Sequence, residues 1–179
     1  GATVTTLNPL YKQREIAHQF GDSEPKAVFV ADATADTTRA VWGHDDRFHH
    51  TAEVWDLATA GEPAPVEIDP MTDLAALPYS SGTTGAPKGA MLAHCNIIHS
   101  AMVFASCLSL TAADRSIAAV PLGHVTGVVA NIMTMVRCAG ALIIMVEFKA
   151  AEYLKMAARE RVTYTVMVPA MYNLCLLQP

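Results

Sequence analysis

From residue 94 to residue 168 the chain alternates two kinds of apolar pattern, and that alternation limits the fold more than any other feature. "AHCNIIHSAMVFASCLSL" has helical spacing, with Asn96 close to a helix start. "RSIAAVPL" is a short apolar run closed by a proline and reads as a strand. "VTGVVANIMTMVRCAG" returns to helical spacing and stops at Gly140. "ALIIMVEF" reads as a buried strand, and "AAEYLKMAARERV" as an amphipathic helix with Tyr153, Met156, Ala157 and Glu160 setting its stripe and edge. "TYTVMVP" is one further strand. Strands that trade places with helices along a chain pack as α/β layers, because each helix carries the chain back to start the next strand in the same direction. The expected fold class is α/β, a layered parallel-rich sheet with flanking helices.

The N-terminal part supports the same class. "ATVTT" and "KAVFVAD" read as strands, and the helix between them places Ile16 and Phe20 four apart before Gly21 and Pro25. Strand, helix and strand over about thirty residues imply a βαβ unit with parallel pairing and a right-handed crossover. Residues 33 to 76 carry weak periodicity and are expected to form a surface excursion. Composition agrees with buried strands. The 179 residues are 52% hydrophobic and 16% charged, with mean hydropathy +0.27. That balance suits strands covered on both faces, or a piece of a larger protein with apolar surface left uncovered.

The same numbers exclude several functions. Net charge is −5, from 12 basic and 17 acidic residues, and no basic run is present. No nucleic-acid partner is therefore expected. The longest apolar region, Val128 to Val146, is broken by Asn131, Arg137 and Gly140, so no membrane span is expected. "GATVTTLNPLYK" lacks the layout of a signal peptide. Cys95, Cys107, Cys138 and Cys175 form no C-x-x-C pair and read as small core residues in a reducing, cytoplasmic setting. Adjacent His49 and His50 would face opposite ways in a strand, a poor geometry for zinc, and no metal site is expected there or at His44. His18, His94 and His99 read as helix-surface or capping residues, and Met133, Met135 and Met145 as core filler.

One stretch cannot serve a core. "YSSGTTGAPKG", residues 79 to 89, sets hydroxyls and glycines ahead of one lysine. Ser80, Ser81, Thr83 and Thr84 supply donors, Gly82, Gly85 and Gly89 allow close backbone approach, and Lys88 supplies a full positive charge. These are the parts of a polyphosphate cradle. The P-loop of nucleotide hydrolases is excluded: Pro87 stands where its glycine is required, and Gly89 where its metal-binding hydroxyl is required. Pro87 also disfavours a helical Ala86, so no helix begins at the lysine.

This stretch resembles, at every position, the phosphate-binding signature [YF]-[TS]-S-G-[ST]-T-G-x-P-K-G of the adenylate-forming superfamily, the acyl- and aryl-CoA synthetases and their relatives. "PLGHVTG", residues 121 to 127, is similar to a second signature, P-[LM]-F-H-x-x-G, with Gly123 in place of the aromatic residue. "DLAALP", "AMLAHCN", "RVTYTVMVPAMYNLCL" and the N-terminal segment also resemble the family, so the likeness spans nearly the whole chain and is weakest over residues 33 to 60. "SSGTTG" with "H-C-N" leans toward 4-coumarate-like and fatty acyl-CoA ligases, and so toward fatty acid metabolism.

The resemblance implies a ligase with two half-reactions. A small-molecule carboxylate attacks the α-phosphate of Mg²⁺-bound ATP, and coenzyme A then takes the acyl group from the adenylate as a thioester. It implies that Ser80, Ser81, Gly82, Thr83, Thr84 and Gly85 wrap phosphate, that Lys88 neutralises it, and that His124, Val125, Thr126 and Gly127 line the acyl pocket, with Gly127 leaving room for the acyl chain. Lys88 and His124 are the expected catalytic pair. No Y-G-x-[TS]-E segment, ribose-binding T-G-D or C-terminal lid with its lysine is present in the sequence. Residues 1–179 are thus expected to be a single partial domain, an internal piece of the AMP-binding N-terminal domain, without turnover alone and with oligomers possible. Transfer to a carrier protein, as in an acyl-AMP ligase or adenylation domain, and a non-catalytic scaffold module are the alternatives left open.

Overall fold

The computed structural model describes residues 1–57, 64–80 and 86–178. The chain divides into two compact units, Gly1–Leu92 and Ala93–Pro179.

In the first unit, α1 (Gln13–Ser23) starts where Glu15 reaches back to the Lys12 backbone N–H at 2.9 Å. It ends at Glu24, in the left-handed region at φ 43°. Its buried face is Ile16 and Gln19. Then come β1 (Val28–Val30), α2 (Asp32–Arg39) and β2 (Phe48–His50). β1 and β2 pair in parallel with Val28 opposite Phe48. Val28, Val30, Ala35 and Phe48 form a buried cluster, with Leu7, Phe20 and Trp42 packed against it. The Arg39 guanidinium caps it, 4.0 Å above the Phe48 ring.

This arrangement corrects two expectations. "ATVTT" forms no strand of its own: Val4 makes one parallel bridge to Ala76. The βαβ unit is instead β1–α2–β2: its first strand is the one expected at "KAVFVAD", while β2 and nearly all of α2 lie in the stretch 33 to 76 expected to be an excursion. Its signal was faint because α2 buries only Ala35 and Thr38, and β2 is three residues long with two histidines. Such short elements rest on tertiary packing rather than on a readable stripe. The short helix α3 (Val54–Leu57), β3 (Leu74–Ala76), β4 (Tyr79–Ser80), β5 (Lys88–Gly89) and β6 (Leu92–Ala93) follow.

The second unit opens with α4 (His94–Cys107), where Asn96 Oδ1 accepts the Ala93 N–H at 2.8 Å. β7 (Arg115–Ala118) pairs in parallel with β8 (Ala141–Ile144). Between them runs a π-helix, Gly127–Met133, continued by α5 (Thr134–Cys138). α6 (Ala150–Glu160) and α7 (Pro169–Leu176) complete the unit. Ile117, Ala119, Met145 and Tyr153 are its buried centre. "ALIIMVEF" is covered on one side only: Ile144 is 60% and Val146 99% exposed. "TYTVMVP" makes a single parallel bridge, Ser116 to Tyr164, rather than a strand. The chain is α/β; among the described residues its strands form small sheets of two, with β1–β2 and β7–β8 parallel. Among the described residues no helix is long and apolar enough to cross a membrane.

Candidate functional site

β4 and β5 are the two sides of an antiparallel hairpin, Tyr79 opposite Gly89 and Ser80 opposite Lys88. The Ala90 N–H closes its base on the Pro78 carbonyl at 2.9 Å. The Tyr79 ring lies across Gly89, so that a Cβ there would stand 3.0 Å from Tyr79 Cζ. A side chain at 89 would therefore fit only if the Tyr79 ring gave way by a few tenths of an ångström. Ser80 and Lys88 are exposed, and among the described residues no carboxylate pairs with the Lys88 ammonium. A solvent-facing cation without a counter-charge is open to an anionic ligand. Ser81, Gly82, Thr83, Thr84 and Gly85, expected to wrap phosphate, lie outside the described residues.

Sequence reasoning missed how the hairpin is held. His18 Nε2 meets the Pro87 carbonyl at 2.8 Å, and the Tyr79 hydroxyl donates to Asp22 Oδ2. Lost solvation, followed by the Asp22 carboxylate, pushes the Tyr79 hydroxyl up to about 12. Contacts 69 and 57 residues apart leave no periodic trace in a sequence. The available hint was the spacing of His18 and Asp22, which puts both on one face of α1.

The second signature folds into a tight turn at the exit of β7. The His124 N–H donates to the Pro121 carbonyl and the Val128 N–H to the His124 carbonyl, each at 3.1 Å. His124 is exposed, and its Nδ1 accepts the Thr126 N–H at 3.1 Å, with the Thr126 hydroxyl at the same distance. An accepting Nδ1 places the neutral ring's proton on Nε2. The imidazole thus presents an N–H donor on its outer side.

Gly127 begins the π-helix and is buried. A Cβ there would stand 2.4 Å from the Pro121 carbonyl oxygen and 2.8 Å from Leu122 Cα. Backbone fills the space that its missing side chain leaves, so, against expectation, the absent side chain does not open room for an acyl chain. The wide turn exposes carbonyls that two side chains then satisfy: Thr134 Oγ1 donates to Val129 O at 2.9 Å, and the Tyr164 hydroxyl to Ala130 O at 2.8 Å. Val125 is 38% exposed and Thr126 half-buried beside His124. Lys88 belongs to the first unit and His124 to the second.

Two of the other histidines are occupied elsewhere. His50 Nδ1 meets Asp32 at 2.7 Å, and the His49 ring lies 5.2 Å from that of Phe29. Among the described residues no group of three or more His, Cys, Asp or Glu side chains could hold a metal ion.

A family model for AMP-binding enzymes matches residues 1–179. The chain belongs to the AMP-binding enzyme family. It is 33% identical over 180 residues to 4-coumarate–CoA ligase 5 of Oryza sativa subsp. japonica, covering 94% of this chain and 33% of that protein. The chain therefore spans about a third of the length of the curated relatives it matches. Solved AMP-binding enzymes share its fold. ATP-bound MatB from Rhodopseudomonas palustris aligns with a TM-score of 0.84 at 26% identity, over 99% of this chain and 36% of that one. The O-succinylbenzoate coenzyme A synthetase MenE from Bacillus subtilis, in complex with ATP and magnesium ion, aligns with a TM-score of 0.84 at 25% identity, again over 99% and 36%. The α/β class and the adenylate-forming resemblance are both upheld, over the whole AMP-binding chain.

Proposed function

We propose that this chain is part of an ATP-dependent acid–thiol ligase, a section of its AMP-binding N-terminal domain. The reaction joins a carboxylate to the α-phosphate of ATP with release of pyrophosphate, then passes the acyl group to coenzyme A. The observation that carries the reading is Lys88, an exposed cation that no carboxylate among the described residues pairs with, on the hairpin of an AMP-binding family member.

Each residue has a physical task. The Lys88 ammonium meets the phosphate oxygens whose charge grows as pyrophosphate departs, and a fixed charge aimed at developing charge lowers the barrier without reorganising. Ser80 adds a hydroxyl donor at the opposite strand, and Ser81, Gly82, Thr83, Thr84 and Gly85 complete the cradle. His124 offers Nε2–H to a carboxylate oxygen of the acid, held in that tautomer by the Thr126 N–H. Val125 and Thr126 form the wall beside it, and Gly127 lets the turn that carries them close against Pro121. The apolar sequence around His124 favours a hydrophobic acid, aryl or fatty. Magnesium arrives as part of the Mg-ATP substrate and screens its phosphates.

Titrating Mg-ATP into the 179-residue chain and into its Lys88→Ala variant tests the phosphate assignment. Loss of one charged contact should weaken binding about tenfold or more. Equal affinities would overturn the assignment of Lys88. A partial domain should release no pyrophosphate in a carboxylate-dependent assay, and turnover by this chain alone would overturn the partial-domain reading.

A further inference from the structure

Among the described residues the hairpin that carries Lys88 has two rungs, too few to hold its own position. What fixes it is one face of α1. Gln19, fully buried, donates from Nε2 to Thr5 Oγ1 at 2.8 Å and to the Thr6 carbonyl at 3.1 Å. Thr5 Oγ1 in turn donates to the Leu77 carbonyl at 2.8 Å, two residues before Tyr79. Asp22 accepts the Tyr79 hydroxyl on the first strand of the hairpin. His18 reaches the Pro87 carbonyl on the second, one peptide before Lys88. Pro87 has no N–H, so its carbonyl is the only backbone hydrogen-bonding group that this residue itself supplies.

We propose that His18 and Asp22, one turn apart on α1, are positioning residues for phosphate binding: they grip both strands of the hairpin and aim Lys88 and Ser80 at the ligand. The inference rests on the phosphate-site reading above. His18 Nε2 donates to Pro87 O, which fixes the peptide plane from which Lys88 departs. Asp22 holds the Tyr79 hydroxyl, and the Tyr79 ring held there packs on Gly89, next to Lys88 on the same strand. One helix thereby sets the height and the tilt of the hairpin. Neither side chain touches the nucleotide.

The test measures Mg-ATP affinity by calorimetry, amide hydrogen exchange at Ala90, and the thermal midpoint. The variants are His18→Ala, His18→Gln, Tyr79→Phe and the His18→Ala/Tyr79→Phe pair in the 179-residue chain. Tyr79→Phe removes the bond to Asp22 and keeps the ring on Gly89. Each lost bond should weaken Mg-ATP about fivefold, and the pair by about twenty-fivefold, while exchange at Ala90 quickens. His18→Gln, which keeps a donor at similar reach, should recover most of the loss, and the thermal midpoint should stay near the wild-type value. Affinity and Ala90 exchange unchanged in the pair would overturn the proposal. So would an affinity loss that follows the thermal midpoint and is not recovered by glutamine, because that marks a merely structural bond. A wild-type chain that binds no Mg-ATP would overturn the phosphate-site reading. Exchange at Ala90 would then still decide whether α1 holds the hairpin.

Discussion

Gly89 and Gly127 each close one of the two signature segments, and each lacks room for a side chain, for different reasons. At Gly89 the obstacle is the Tyr79 ring, with its nearest atoms 3.0 to 3.2 Å from a Cβ position. At Gly127 it is main chain, the Pro121 carbonyl at 2.4 Å and Leu122 Cα at 2.8 Å. Neither has a positive φ, so space alone decides. A ring can rotate aside. A carbonyl inside a hydrogen-bonded turn cannot. The hairpin around Lys88 is thus adjustable and kept in place by side-chain bonds, whereas the turn around His124 is rigid by construction. On the function proposed above, a flexible polyphosphate would suit the first, and an imidazole kept in one tautomer the second.

The largest effect should come from Gly127→Ala. Forcing a methyl group against backbone should cost about 3 kcal/mol, seen in urea unfolding as an early loss of the second unit. Gly89→Ala should cost under about 1 kcal/mol, because Tyr79 can yield. Comparable losses at the two sites would erase the contrast drawn between them.

A smaller effect should appear at high pH. Burial pushes the Tyr164 hydroxyl up to about 12, as it does that of Tyr79, so both units hold a phenol that stays neutral when folded. A raised folded value means that the contribution is intact below the unfolded value near 10 and disappears as pH climbs through 12. Urea midpoints at about pH 9 and about pH 11 should therefore differ, and Tyr79→Phe and Tyr164→Phe should each flatten part of the difference. A wild-type midpoint that is identical at both pH values would contradict the burial of these phenols.

The smallest expected effect lies at acid pH and in the second unit. The Thr163 hydroxyl and the Thr111 N–H hold Asp114 below the ordinary carboxylate range, and hydrogen bonds from Arg159 and Arg115 do the same for Glu160. Depressed folded values contribute stability that is present above about pH 4 and is lost as pH falls below it. Asp114→Asn should shallow the acid limb of a stability-against-pH curve. An unchanged limb would show that the Thr163 contact is absent in solution.

The helices of the second unit were the most legible part of the fold. α4, α5 and α6 follow runs long enough for apolar spacing to show, and Tyr153 with Met156 and Ala157 packs the core as the α6 pattern implies. β1–α2–β2 was opaque because three-residue strands and a helix burying alanine and threonine carry almost no pattern. The strand expected at "ALIIMVEF" is real, but its exposure follows from which neighbours pack on it, and periodicity does not report that.

By itself the sequence determined the α/β class, the family and the chemical character of the two signature segments. Hydroxyl, glycine and lysine spacing survives in one dimension because a phosphate loop is built from consecutive residues. Only the tertiary structure decided that His18 and Asp22 hold the hairpin, that Pro121 occupies the space at Gly127, and that the Thr126 N–H sets the His124 tautomer. Two of these link elements far apart in the chain or depend on backbone passing over backbone, and the third depends on how one turn closes. Such contacts exist only once the chain has packed.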